Sequence, residues 1–238
     1  IDAAHKVMIL ASLAFGIPLQ FDKVYTEGIS ALCEEDLVYA ADLGYRIKHL
    51  GICRRTAQGI ELRVHPTLIP DDRLIANVNG VMNAILVQGD AVGPTLYYGP
   101  GAGAEPTASA VVADIVDVAR TLTADPEHRV PHLAFQADRM SSEPVLSMDA
   151  VRTSYYLRVS GIDRPGVLWR VAQILSEAGI SIEAMTQKEA PEGQETATMI
   201  LLTSLTVELQ MMEAIRAIEA LDSTRGSVTR IRMEKLDG

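Results

Sequence analysis

The sequence predicts a protein of the α/β class with an α+β layout: a mixed helix/sheet unit, a linker, and a ferredoxin-like βαββαβ unit. Three observations carry this expectation. Through residues 1–122, alternating apolar runs are interleaved with runs of 3.6-residue period. Over 123–150 the periodicity fades and Pro126, Pro131 and Pro144 punctuate the chain. From 151 to 238 the segments read strand, helix, strand, strand, helix, strand.

In the first unit, Val7, Leu10, Leu13, Ala14 and Ile17 recur at helical spacing, and Gly16 and Pro18 end the run. Residues 21–25 read as a short strand, and 34–43 as a helix closed by Gly44. Residues 46–55 and 59–65 read as a hairpin turning at Thr56-Ala57-Gln58-Gly59. Two more strands, 82–88 and 95–98, lead into Gly99-Pro100-Gly101-Ala102-Gly103. The helix after them starts near Pro106 and carries Val111, Ile115, Val118 and Leu122 on one face.

The second unit opens with Tyr155, Leu157 and Val159 alternating as a strand. Val167, Leu168, Val171, Ile174, Leu175 and Ala178 then form a helical stripe that Gly179 stops. Ile180, Ile182 and Ala184 alternate, and Pro191-Glu192-Gly193 turns into a strand over 196–203. Leu209, Met212, Ile215 and Leu221 are the expected inward positions of the next helix, and 228–233 closes as a strand. Two helices on one face of such a sheet leave its other face, or an edge, for pairing.

Composition excludes several classes of function. Lys+Arg 21 against Asp+Glu 31 gives a net charge of −10, which argues against a nucleic-acid or anionic-membrane partner. An apolar content of 48% excludes disorder. Cys33 and Cys53 stand alone in their segments, so neither a disulfide scaffold nor a zinc ribbon is available, and a reduced cytoplasmic compartment fits. His128 and His132 are separated by Pro131 and have no ligand cluster around them, so no metal site is expected. His5-Lys6 followed by an apolar stretch to Phe15 looks like a signal peptide, yet it falls short of the roughly 20 residues a membrane span needs. A buried helix explains it better. The chain opens on Ile1-Asp2 without a methionine, so the expectation is a processed chain or the back part of a longer one.

Three motifs can carry chemistry, and each has a plainer reading. In Asp2-Ala3-Ala4-His5-Lys6, i,i+4 spacing brings carboxylate and ammonium together, either as a surface ion pair or at the mouth of an apolar pocket. Gly99-Pro100-Gly101-Ala102-Gly103 aims backbone N–H groups and a helix N-terminus at one point, which suits an anion or merely a tight turn. It lacks the G-x-G-x-x-G spacing of a dinucleotide fingerprint. Asp163-Arg164-Pro165-Gly166 joins a strand to a helix, with capping as its simplest role and close approach of a ligand at Gly166 as the alternative.

Together these residues resemble a known family. The Asp2–Lys6 motif, Glu27-Gly28-Ile29, Leu43-Gly44-Tyr45, Val64-His65-Pro66-Thr67, Asn83-Ala84 and the glycine loop with Pro106-Thr107-Ala108-Ser109-Ala110-Val111 resemble the substrate-binding and dimerisation region of homoserine dehydrogenase. Asp163-Arg164-Pro165-Gly166-Val167-Leu168 and the βαββαβ order resemble an ACT domain, the amino-acid-sensing module of bacterial forms of that enzyme. The resemblance implies reversible, NAD- or NADP-dependent interconversion of homoserine and aspartate semialdehyde, on the route to threonine, methionine and isoleucine. It implies Lys6 as proton donor, Asp2 as a substrate-holding carboxylate and Gly103 as a neighbour of the nicotinamide nucleotide.

It also implies a homo-oligomer, a dimer or tetramer, with threonine as effector. Asp163, Arg164, Pro165 and Gly166 would line the effector site, with Ile180, Ser181 and Ile182 opposite if two units pair. A Rossmann unit holding most of the cofactor, another lysine, a substrate-binding glutamate and an alkali-cation site would lie upstream of Asp2. The expected division is 1–122 catalytic, 123–150 linker and 151–238 regulatory. The rival reading is an amino-acid sensor without catalysis, which has no need of the Asp2–Lys6 pair.

Overall fold

In the computed structural model, which describes residues 1–123, 129, 131–188 and 195–236, the chain opens with helix α1 (Asp2–Phe15). Its buried face is Ala4, Val7, Met8 and Ala11, whereas Leu13, expected inward, is exposed. They recur at i, i+3, i+4 and i+7, so they form a stripe rotated from the anticipated one. A helical turn at Phe21–Lys23 and a two-residue strand, β1 (Tyr25–Thr26), replace the single strand expected over 21–25. Helix α2 (Glu34–Asp42) starts at Cys33, whose backbone N–H donates to Asp36 Oδ2 at 3.1 Å.

Strands β2 (Tyr45–Thr56) and β3 (Gly59–Pro70) pair antiparallel along their whole length. Gly51 of β2 is where α1 lies closest, since a Cβ there would fall 2.2 Å from Val7 Cγ2. β3 runs on through Pro66, beyond its expected end at His65. The reason is positional. Val64 O accepts from Glu27 N (2.8 Å) and Leu68 O from Glu234 N (3.0 Å), so alternate residues of β3 face its far edge. Pro66 faces that edge between the end of β1 and the point where the last residues of the closing strand pair with β3, and there its missing N–H costs no ladder bond.

Strands β4 (Met82–Gly89) and β5 (Gly93–Pro100) form a separate hairpin, followed by α3 (Ala104–Leu122). No residue of α3 is buried, and Val111, Ile115, Val118 and Leu122, the expected apolar face, are all exposed. The described part of 123–150 runs past α1 and β3, with Ser141 N donating to Gly16 O and Ile60 N to Pro144 O. Pro126, His128 and Pro191-Glu192-Gly193 lie outside the described residues.

The second half comprises β6 (Arg152–Ile162), α4 (Val167–Glu177), β7 (Ile182–Lys188), β8 (Thr196–Thr203), β9 (Thr206–Val207), α5 (Glu208–Glu219) and β10 (Thr229–Met233). Its sheet order, β10-β6-β8-β7, is the ferredoxin-like one, with the extra β9 on β6. Val171 and Leu175 of α4 and Met211, Ala214, Ile215 and Ile218 of α5 pack on Tyr155, Leu157 and Val159. In α5 the inward position is Met211, and Leu209 is exposed. Starting at Glu208, the helix turns the 211-214-215-218 stripe onto the sheet.

The largest departure from expectation is at the junction. β10 pairs in parallel with β3 (Arg232↔Thr67, Met233↔Leu68), so one sheet runs through both halves. The second face of the ferredoxin-like sheet is not free either: Tyr39 and Ala40 of α2 cover Tyr156, Ile200, Leu202, Ile231 and Met233. Among the described residues, β7 is the outer strand at that end. No described helix is long and apolar enough to cross a membrane.

Candidate functional site

The first turn of α1 brings Asp2 and Lys6 together, with Lys6 Nζ 2.7 Å from Asp2 Oδ2. Both side chains are well exposed, at 83% and 69%. This corrects the expectation of an apolar pocket mouth: Leu10 is only half-buried and Leu13 exposed, so the same stripe builds no wall. The hydrogen bond and charge of Lys6 lower the pKa of Asp2, which keeps its carboxylate ionised beside the ammonium.

The glycine loop lies at the start of α3. Gly103 is the residue before the helix, at φ 129°, and a Cβ on Gly101 would fall 1.9 Å from Asn83 Nδ2. Gly103 is required by its backbone, whereas Gly101 packs against the Asn83 side chain and its N–H donates to Val81 O at 3.2 Å; the N–H of Gly103 sits at the N-terminus of a 19-residue helix. Among the described residues, no hydrogen bond or ion pair joins this loop to α1.

The expected effector residues fall into two separate cavities. Asp163, Arg164, Pro165 and Gly166 line one of about 300 Å³ with Gln187 and Met199. Ile180, Ser181 and Ile182 line another of about 380 Å³ with Ala172, Ser176 and Gly179. Gly166 begins α4 at φ 93°, and a side chain there would point into open space. No group of three or more His, Cys, Asp or Glu side chains suited to a metal occurs among the described residues.

A polar seam between the halves was not anticipated. On β3, Ile60, Leu62 and Val64 face α1, which turns Glu61, Arg63, His65 and Thr67 to the other side, where all four are buried. Arg63 lies between Glu61 (3.1 Å) and Glu234 (2.5 Å), and Arg54 also reaches Glu234 at 2.7 Å. Arg232 is held by Glu208 (2.8 Å from Nε) and Glu27 (3.0 Å), and Arg230 by Glu27 at 2.9 Å. Four arginines thus face four glutamates.

Burial alone would raise the pKa of Glu27, but hydrogen bonds from Tyr25 and Arg230 and the charge of Arg232 hold it at about 2. Beside α2 a second anchor joins the halves: Arg158 donates to Asp36 Oδ1 at 2.7 Å and Tyr156 OH to the same oxygen at 3.0 Å. Charged residues alternating with apolar ones along β3 and β10 were the sequence signal for this seam.

His65 sits inside it, its Nε2 2.9 Å from Arg63 Nη1, which makes that nitrogen the acceptor and Nδ1 the donor to Pro66 O. Burial, then the charges of Arg232 and Arg63, lower its pKa from 6.5 to about 3. With the folded value lowered, the unfolded chain takes up the proton first as pH falls. Stability therefore declines from about pH 6.5 toward 3, by roughly 2 kcal/mol between pH 6.5 and 4.5 from this residue. Denaturant unfolding at those two pH values should show that difference shrinking by about as much in His65→Gln; an unchanged difference would place the acid sensitivity elsewhere.

Comparison with known proteins agrees with both halves. Residues 1–116 match the homoserine dehydrogenase family and residues 155–220 the ACT domain. A homoserine dehydrogenase of Pseudomonas aeruginosa is 64% identical over the whole chain, which covers 55% of that protein. One of Neisseria gonorrhoeae is 56% identical over 99% of the chain, covering 54% of its length. The crystal structure of a homoserine dehydrogenase from Thiobacillus denitrificans superposes with a TM-score of 0.92 at 63% identity, over 99% of this chain and 53% of that one. The chain spans about half the length of the curated relatives it matches. A homoserine dehydrogenase domain is followed here by an ACT domain, and over its whole length the chain is similar to homoserine dehydrogenases.

Proposed function

We propose that this chain is the substrate-binding and regulatory portion of a cytoplasmic enzyme that interconverts L-homoserine and L-aspartate 4-semialdehyde with NAD or NADP. Residues 1–122 serve the reaction, 123–150 link, and 151–238 regulate. The observation that carries the reading is the Asp2–Lys6 pair, an ammonium presented at an open helix start beside a carboxylate that stays ionised.

Reduction of the semialdehyde adds a hydride, supplied by the nicotinamide when bound, to the carbonyl carbon and leaves negative charge on its oxygen. Lys6, in its ammonium form, stabilises that oxygen and gives it a proton. Asp2 attracts the substrate's own ammonium group. In the oxidation direction the amine of Lys6 takes the hydroxyl proton. The loop at Gly103 fits one edge of a dinucleotide, because glycine backbone at the start of α3 lets an anion approach without a side chain in the way.

The bare apolar faces of α3 and of the hairpin, where Ile85, Val87, Tyr97 and Tyr98 are exposed, support covering partners in the intact enzyme, including a second copy. The test is one preparation of the full-length protein. It should oxidise homoserine with NAD or NADP and give at least a dimeric mass by light scattering, while residues 1–238 alone turn nothing over. Turnover by the short chain at the full-length rate would overturn the division of labour.

Threonine is the proposed effector, seated in the cavity of Asp163, Arg164, Pro165 and Gly166. There first-turn N–H groups of α4, which have no intrahelical acceptor, meet a carboxylate. Inhibition requires that threonine prefer one of two arrangements of the regulatory unit. Calorimetry on the full-length enzyme should show threonine binding in the wild type and none in Gly166→Val, whose uninhibited activity persists. Isoleucine, methionine and lysine serve as controls, and absence of heat from all four at millimolar concentration would make the unit purely structural.

A further inference from the structure

Strand β1 pairs with β3 through two residues only, Tyr25↔Arg63 and Thr26↔Val64, which is little ladder to hold the segment before it. What holds it is a side chain from the other half. Arg232 of β10 is fully buried, and its guanidinium lies over the Tyr25 ring at 5.0 Å from the centroid. Its Nη2 donates to Tyr25 OH at 3.2 Å and its Nη1 to Glu27 at 3.0 Å. Glu208 fixes the same guanidinium from α5, so the brace does not swing with solvent.

From Tyr25 the segment leads back to α1. Val24 is buried in the α1 core, and Gln20 N donates to Met8 Sδ at 3.3 Å. The Phe21 ring meets the His5 imidazole edge to face, centroids 5.0 Å apart at 74°. His5 is the neighbour of Lys6. The linker, by contrast, touches the opposite end of α1: Ser141 N reaches Gly16 O, and Glu143 pairs with Arg55, which stacks on Phe15.

We propose that Arg232 is a positioning residue for the reaction, holding the first turn of α1, and with it Lys6, through Tyr25 and Phe21. This rests on the proton-donor role proposed for Lys6. A strand that belongs by sequence to the regulatory unit is thereby part of the frame of the catalytic helix, and the connection between the halves bypasses the linker.

The test is steady-state kinetics and thermal unfolding of the full-length enzyme carrying Tyr25→Leu, Phe21→Ala, the two together, and Glu143→Ala. Phe21 is 42% exposed, so its removal leaves the core intact. Each of the first two should lower kcat per folded molecule by roughly tenfold, with homoserine KM within about twofold, because a small displacement of a reacting group acts on the chemical step. The double variant should be no slower than the slower single one, since both cut one brace. Glu143→Ala should leave kcat unchanged.

Singles whose kcat per folded molecule equals the wild type, even with a lower Tm, would overturn the proposal and leave the two residues structural. So would losses that multiply in the double variant. A wild-type enzyme inactive on homoserine would instead overturn the function proposed above, and the role of Lys6 with it.

Discussion

Lys6→Ala in the full-length enzyme should lower kcat by roughly 100-fold or more, the usual scale for losing a positioned general acid. The side chain is exposed and makes one ion pair, so the fold does not depend on it and unfolding midpoints should stay close to wild type. Cofactor affinity should also hold, because the glycine loop shares no hydrogen bond or ion pair with α1 among the described residues. Stopped-flow measurement of hydride transfer, with cofactor affinity titrated separately, separates these effects. A kcat within about threefold of wild type would reduce the Asp2–Lys6 pair to a surface contact and remove the basis for assigning the reaction to this helix.

The second large effect is on stability. Arg63→Met should cost about 3–5 kcal/mol, because it leaves Glu61 and Glu234, 5% and 6% exposed, with a buried charge to share and one fewer cation. Arg54, whose side chain is 42% exposed, pairs with Glu234 from the rim, so Arg54→Met should cost much less. Urea unfolding monitored by fluorescence measures both. Equal costs would mean that the seam is hydrated rather than sealed. Since Arg63 and Glu234 lie on different halves, the variant should also unfold its halves in separate steps if the seam is what couples them.

Most secondary elements were legible because their patterns are local. The alternation of Tyr155, Leu157 and Val159, the stripe Val171–Ile174–Leu175 and the hairpin at residues 56–59 each need only neighbours in sequence. The parallel pairing of β3 with β10 was not legible, since Pro66 reads as a strand terminator until the gap between two partner strands is known. Covering of the second sheet face by α2 was hidden for a related reason. Asp36 reads as a first-turn acidic residue, and only the fold brings Arg158 and Tyr156 to it.

At the site, the i,i+4 spacing of Asp2 and Lys6 predicted their contact, while their exposure depends on what packs around α1. Helix α3 shows the converse. Val111, Ile115, Val118 and Leu122 share one face of the helix, but that face is exposed, which a sequence pattern alone does not reveal.

The pairing of β3 with β10 also sets the order in which the chain can be completed. Arg63 and Glu234 are separated by 171 residues, so at ordinary rates of synthesis about 10–30 seconds pass before the second emerges behind the first. During that interval the unfinished edge of β3 stands open on the ribosome. An apolar ribbon there would collect neighbouring nascent chains, whereas Glu61, Arg63 and His65 stay hydrated until the last strand arrives and displaces the water. The arginine–glutamate seam, costly to bury, thus forms only once β10 has followed β3 out of the ribosome.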